Sequence, residues 1–238
     1  MDTSNQKETV FLIADLAGFT ALTEGHGDMT AASIVSRYIE IVNDTLHPDS
    51  HLIERTGDEV LIASNNTQSI VETAIHLRHT VERESDFPCV HVGIHTGSAL
   101  KKDGHYFGRA LNLTSRIAAH ARGGEILCTE KIVASVQQLI GVQYHSIGQI
   151  QFKNISEPVS LYEIIVEGQR EECTAIDPVC HMHVQPEKAT AHILFEDKMY
   201  YFCSIERFRD KVWHRFFHYT SSTDNWRRRL PDGDGCFI

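Results

Sequence analysis

Val10-Phe-Leu-Ile-Ala-Asp-Leu-Ala-Gly-Phe-Thr20 reads as a buried strand, Val10 to Ala14, running into a carboxylate and then a turn of small residues. Gly18 lets the backbone come close to a ligand, and successive N–H groups in such a turn face phosphate oxygens well. A second stretch, Glu54-Arg-Thr-Gly-Asp-Glu59, reads as the middle of a hairpin. Leu52 to Arg55 runs out, Gly57-Asp58 turns, and Val60 to Ala63 returns. If these strands lie side by side, Asp15 and Asp58 meet at one end of a sheet. Two carboxylates beside a phosphate-friendly turn suit a hard divalent cation such as Mg²⁺ or Mn²⁺ carrying a phosphate-rich ligand. The structural alternative is an N-cap at Asp15 and simple turn formation at Asp58.

Working outward, Thr30 to Leu46 carries Ile34, Val35, Tyr38, Ile39 and Val42 on one helical face. Thr67 to Glu84 repeats that spacing with Ile70, Val71, Ala74, Ile75, Leu77 and Val81. Asp86-Phe-Pro88 breaks this helix, and Val90 to Thr96 alternates as a strand. Strand–helix–hairpin–helix–strand is the βαββαβ plan of a ferredoxin-like sheet with helices on one face. Beyond it the pattern predicts a helix over Gly108 to Ala121, a strand at Glu125 to Cys128 and a helix at Glu130 to Ile140. Two last strands follow at Val142 to Ile150 and Val159 to Val166.

The 238 residues, 42% of them hydrophobic, allow one medium domain and a small one. A formal net charge of −10 argues against non-specific nucleic-acid binding. The polar start, Met1 to Thr9, holds no secretory h-region, and no apolar run approaches the roughly 20 residues of a membrane helix. The expected setting is therefore cytoplasmic, with no membrane partner, and the six Cys are expected to be thiols or metal ligands.

Phe11-x-x-x-Asp15-Leu-x-Gly-Phe-Thr20, Thr56-Gly-Asp58, Val92-Gly-Ile-His-Thr-Gly97 and Phe107-Gly-x-x-x-Asn112-x-x-Ser-Arg116 resemble, in series, the class III nucleotidyl cyclase catalytic domain. The resemblance places that domain at residues 8–168 and implies conversion of a nucleoside triphosphate to a 3′,5′-cyclic monophosphate and pyrophosphate. It implies two Mg²⁺ or Mn²⁺ ions held by Asp15, Asp58 and the Leu16 backbone carbonyl, with Gly18, Phe19 and Thr20 at the triphosphate. Asn112 and Arg116, four apart on a helix and so on one face, take the roles of orienting the ribose and stabilising charge on the α-phosphate. Without the resemblance they read as a solvated helix face. Lys153 sits where the family has a lysine reaching the triphosphate, and reads otherwise as a surface lysine. The family's site forms between two chains head to tail, so the resemblance implies a homodimer.

Base choice turns on Glu54 and His105. Guanylate-type members carry Glu at the first position and adenylate-type members Lys. A carboxylate accepts from guanine N1–H and the 2-amino group, so Glu54 points to GTP, with ATP next. His105 matches neither type: it would donate to guanine O6 or act as a bulky block. That mixed pair supports a second expectation, a nucleotide- or metal-sensing regulatory module without turnover.

Gly168 to Thr174 is polar and reads as a linker. Asp177-Pro-Val-Cys180-x-Met182 and Tyr200-Tyr-Phe-Cys203-Ser204 then resemble the YHS domain, a small α+β metal-associated module over residues 176–220, with a tail at 221–238. Cys180 and Cys203 would hold a soft metal as thiolates, or serve as small buried apolar groups. Family members often carry a third Cys where Arg207 stands here.

Overall fold

The computed structural model describes residues 6–136, 139–166, 175–179, 182–195 and 198–203. The sheet begins with β1 (Gln6–Leu16), whose alternation splits its side chains between two apolar layers. Val10, Leu12, Ala14 and Leu16 face one layer, while Phe11 and Ile13 face the other. Helix α1 (Phe19–His26) follows the turn at once, and α2 (Asp28–Thr45) packs Ile34, Tyr38, Ile41 and Val42 into the first layer. Strands β2 (His51–Thr56) and β3 (Glu59–Ser64) form the expected hairpin, with β3 antiparallel to β1. Asn66 caps α3 (Thr67–Glu82) by accepting from the Gln68 and Ser69 amides. The apolar face of α3 then covers the same layer as α2.

Strand β4 (Val90–Lys102) pairs antiparallel with β1 along its length and turns into the short β5 (His105–Phe107). Next come α4 (Arg109–Ala118), β6 (Ile126–Thr129), α5 (Glu130–Ser135), β7 (Val142–Ile150) and β8 (Val159–Val166). The strand order is β2-β3-β1-β4-β6-β8-β7, with β5 on β4, and among the described residues only β4–β6 pair in parallel.

The βαββαβ core keeps its helices on one face, as the pattern predicts, but α4 lies on the other. Its Ala110 and Ala118 pack against Phe11, Ile13 and Leu61. The close approach depends on Gly93, where a Cβ would stand 2.3 Å from the Ala118 backbone nitrogen. Helix α1 and the β4–β5 hairpin are additions to the expected elements, and α2 starts at Asp28, two residues before Thr30.

Part of the segment after residue 174 is seated on this domain. Strands β9 (Ala175–Ile176) and β10 (His183–Val184) pair, as do β11 (Ala191–Phe195) and β12 (Lys198–Phe202). Met182 bridges to Pro88 and is buried in the same apolar layer as β1 and α3. The fully buried Asp177 carboxylate accepts from the amides of Val179 (2.7 Å) and Cys203 (2.8 Å). Cys180, Arg207 and the expected aromatic helix and tail lie outside the described residues. Among the described residues no helix is long and apolar enough to cross a membrane.

Candidate active site

Asp15 is the penultimate residue of β1, and Asp58 stands in the two-residue turn between β2 and β3. Because β3 lies beside β1, the turn returns Asp58 to the neighbourhood of Asp15. Burial is the largest cause that raises the Asp15 carboxyl from 3.8 to about 7, followed by the negative charge and hydrogen bond of Asp58 and the charge of Glu59. The Leu16 amide opposes this by donating to Asp15. Burial and the charges of Asp58 and Glu54 likewise raise Glu59. Carboxylates brought together this way repel one another, and a bound cation would relieve that repulsion.

The turn after Asp15 leads straight into a helix. Gly18 takes φ 72°, ψ 19°, the left-handed conformation, and α1 begins at the next residue. Ala17 donates its amide to the Cys89 carbonyl at 2.8 Å, which ties the turn to the loop before β4. Phe19 packs onto the apolar core while Thr20 is exposed. The first turn of α1 thus has one residue anchored and its neighbour free.

Two neighbours of the carboxylates were not singled out by sequence. His91 is the cross-strand partner of Asp15, and its Nε2 lies 3.6 Å from Asp15 Oδ2. Tyr38, one residue of the apolar face of α2, is fully buried, and burial first, then the charges of Asp15, Asp58 and Glu59, raise its phenol well above the usual range. The signal for His91 exists only once the β1–β4 register is known. Tyr38 was legible as a core residue but not as a neighbour of Asp15.

Glu54 and His105 come together although they are far apart in sequence. Glu54 lies on β2 and His105 opens β5, and His105 Nδ1 stands 3.6 Å from Glu54 Oε2. Both side chains are about half exposed, at 49% and 57%. Asn112 and Arg116 project from the solvent side of α4, and Lys153 is exposed beside the buried Phe152 in the β7–β8 connection. Phe152 packs with Ile117 of α4, which places Lys153 in the same part of the fold as Asn112 and Arg116. The His of the Val92–Gly97 motif plays a different part. His95 is buried, with Nδ1 3.0 Å from Thr129 Oγ1, and burial together with the charge of Lys131 lowers it from 6.5 to about 4.

The donor set fits a divalent cation only with help from its ligand. Among the described residues no cluster of three or more His, Cys, Asp or Glu is arranged for a metal. Two carboxylates and the Leu16 carbonyl leave coordination positions that phosphate oxygens and water fill at sites of this kind. Cys203 is part-buried, whereas Cys89 and Cys128 are fully buried, and burial pushes the Cys128 thiol up to about 12. A soft-metal site at Cys203 would need Cys180, which is outside the described residues.

A carboxylate pair on β1 and a hairpin turn, next to a left-handed turn opening a helix on this strand order, define a class. Residues 1–166 match the adenylate and guanylate cyclase catalytic domain. The chain belongs to that family. It is 24% identical over 161 residues to a pH-sensitive adenylate cyclase of Mycobacterium tuberculosis, covering 66% of this chain and 41% of that protein. It is 30% identical over 115 residues to an adenylate cyclase of Streptomyces griseus, covering 48% and 29%. The chain thus spans less than half the length of these relatives. Among solved structures, the adenylyl cyclase CyaB of P. aeruginosa superposes with TM-score 0.59 at 20% identity, covering 69% of this chain and 96% of that one. The guanylyl cyclase Cya2 gives the same TM-score at 19% identity, covering 70% and 95%. The fold is therefore the mixed α+β fold of the cyclases.

Proposed function

We propose that this protein converts a nucleoside triphosphate to a 3′,5′-cyclic mononucleotide and pyrophosphate, with GTP the preferred substrate. The observation that carries the reading is the Asp15–Asp58 carboxyl pair, held together against its own repulsion beside the Gly18 turn. Asp15, Asp58 and the Leu16 carbonyl would hold two Mg²⁺ or Mn²⁺ ions. Such ions neutralise the triphosphate and ease loss of the 3′-hydroxyl proton. The chain's own groups do the rest. The Gly18–Thr20 turn and Lys153 bind phosphate oxygens, and Asn112 orients the ribose. The 3′-oxygen attacks the α-phosphorus, the bond to the bridging oxygen of pyrophosphate breaks, and the hydroxyl proton passes to solvent. Arg116 stabilises the charge that builds on the α-phosphate.

Glu54 accepts from guanine N1–H and the 2-amino group, and His105 faces O6. Asn112 and Arg116 face solvent within one chain, so a second copy placed head to tail completes each site. The exposed Phe107 (53%) and Leu100 (38%) on the β4–β5 hairpin give an apolar surface for that contact. A YHS-like module after residue 174, able to hold a soft metal at Cys180 and Cys203, is part of the same proposal.

One observation favours the alternative, a sensing module without turnover: His105 stands 3.6 Å from the carboxylate that base recognition requires. Thermal stabilisation by nucleotide and Mn²⁺ with no cyclic product would establish that alternative. Cyclic product from the parent and none from Asp58→Ala establishes the enzyme.

A further inference from the structure

The loop before β4 holds two partners at once. On one side the Cys89 carbonyl accepts the Ala17 amide at 2.8 Å, in the turn that Gly18 completes. On the other, an antiparallel main-chain bridge pairs Pro88 with Met182 of the segment after residue 174. Pro88 and Cys89 are consecutive, and the proline ring fixes φ at its own position. A displacement at Met182 is therefore passed to the Cys89 carbonyl with little slack.

Packing around the loop is equally tight. Cys89 is fully buried, and a Cβ added at Gly123 would stand 3.1 Å from the Cβ of Ala17 and 3.1 Å from that of Cys89. Close-packed contacts of this kind transmit a displacement rather than absorb it. Met182 is 5% exposed and lies in the apolar layer of Leu16 and Phe87, and Cys203 packs against that same layer. Asp177 ties these two residues together. Its amide donates to the Met182 carbonyl at 3.0 Å, and its carboxylate accepts from the Cys203 amide at 2.8 Å. The two residues that rest on the domain thus belong to one tied unit.

We propose that the segment after residue 174 positions the Ala17–Gly18 turn through Met182, Pro88 and Cys89, and so sets the affinity of the turn for triphosphate. The ligand part rests on the reading of that turn as a phosphate site. With Met182 seated, the Cys89 carbonyl holds the Ala17 amide and the turn is ordered in advance. With Met182 withdrawn, the loop loosens, and binding must also order the turn. An event that loosens the segment would then lower affinity at the turn by about tenfold. Met182 and Pro88 act through Cys89 and are positioning residues.

The test compares the full-length parent with Met182→Asp, Met182→Leu and Asp177→Ala. Hydrogen exchange of the Ala17 amide is followed by NMR, and binding of inorganic tripolyphosphate with Mn²⁺ by calorimetry. Tripolyphosphate is the part common to all nucleoside triphosphates, so base choice does not enter. Met182→Asp brings a charge into an apolar layer, whereas leucine keeps the volume and character of the side chain. Asp177→Ala loosens the segment without changing a residue at the Pro88 contact, and it serves if Met182→Asp does not fold. We expect Ala17 to exchange about tenfold faster in Met182→Asp and Asp177→Ala, and tripolyphosphate to bind about tenfold more weakly. Met182→Leu should match the parent in both. A merely structural contact would leave Ala17 exchange and tripolyphosphate affinity at parent values while residues 175–179 exchange faster. That result, or faster Ala17 exchange with unchanged affinity, overturns the proposal. If the parent itself binds no tripolyphosphate, the phosphate reading of the turn falls and takes this inference with it.

Discussion

Asp15 is part-buried and His95 buried, and both titrate away from their usual ranges, with opposite consequences. The folded state holds a proton on Asp15 up to about pH 7, whereas the unfolded chain loses it near 3.8. Below pH 7 that proton competes with a cation, so Mn²⁺ affinity should rise with pH by up to about tenfold per unit and level off above 7. A titration of Mn²⁺ binding from pH 5.5 to 8 checks this, and a flat profile contradicts it. His95 stays neutral in the fold down to about 4, against 6.5 when exposed. The unfolded chain thus takes up a proton between these values that the folded chain refuses. The stability that His95 contributes is complete above pH 6.5 and falls away as pH drops towards 4, by up to about 3 kcal/mol. Over the same window Asp15 acts the other way, favouring the folded state as pH falls. The His95 term is therefore read as the difference between parent and His95→Gln in urea unfolding at pH 5 and 7. An equal difference at both values would contradict it.

Elements decide how close the site residues come. The backbone of α4 rests on β4 at Gly93, where an added Cβ meets the Ala118 nitrogen at 2.3 Å. Gly93→Ala must push the helix off the sheet, at a cost of about 3 kcal/mol. Because α4 carries Asn112 and Arg116, it should also lower kcat more than it raises KM for nucleotide. Unchanged stability would show that α4 yields without strain. Within the segment after residue 174, Asp177 joins the first strands to the last described residues, its carboxylate accepting from the amides of Val179 and Cys203. Asp177→Ala should destabilise that segment by about 2 kcal/mol. Proteolysis between residues 175 and 203 would then be faster while residues 6–166 keep their melting temperature.

These elements also show what was legible in sequence. β1 and the β2–β3 hairpin announce themselves through local alternation and the Gly57-Asp58 turn, so the meeting of Asp15 and Asp58 followed from one assumption about strand neighbours. The Glu54–His105 approach depends on β5, a short strand whose apolar signal is only Tyr106 and Phe107. The partnership of His91 with Asp15 depends on a cross-strand register that no local pattern encodes. The placement of α4 on the opposite face is written in small residues, Gly93, Ala110 and Ala118, whose meaning appears only when the layers are stacked.

At the scale of the whole molecule, the site residues fall into two groups. Asp15, Asp58 and the Gly18 turn close one end of the central strands, whereas Asn112, Arg116 and Lys153 lie on and beside α4. Under the proposed function, a reaction needing both groups at one phosphorus would be served by two copies of the chain. Specific activity should therefore rise with protein concentration through the range where sedimentation shows a dimer forming, and constant activity in a monomer would contradict that assembly. Mixing inactive Asp58→Ala with inactive Arg116→Ala should restore part of the activity, because one of the two sites in the mixed dimer is intact. The most direct test of the central claim is incubation with ATP, GTP, CTP and UTP in turn with Mn²⁺, the products identified by mass spectrometry beside the Asp58→Ala variant. Cyclic GMP from the parent and no cyclic product from the variant are expected. No cyclic nucleotide from any of the four, with a folded dimer in solution, would contradict it.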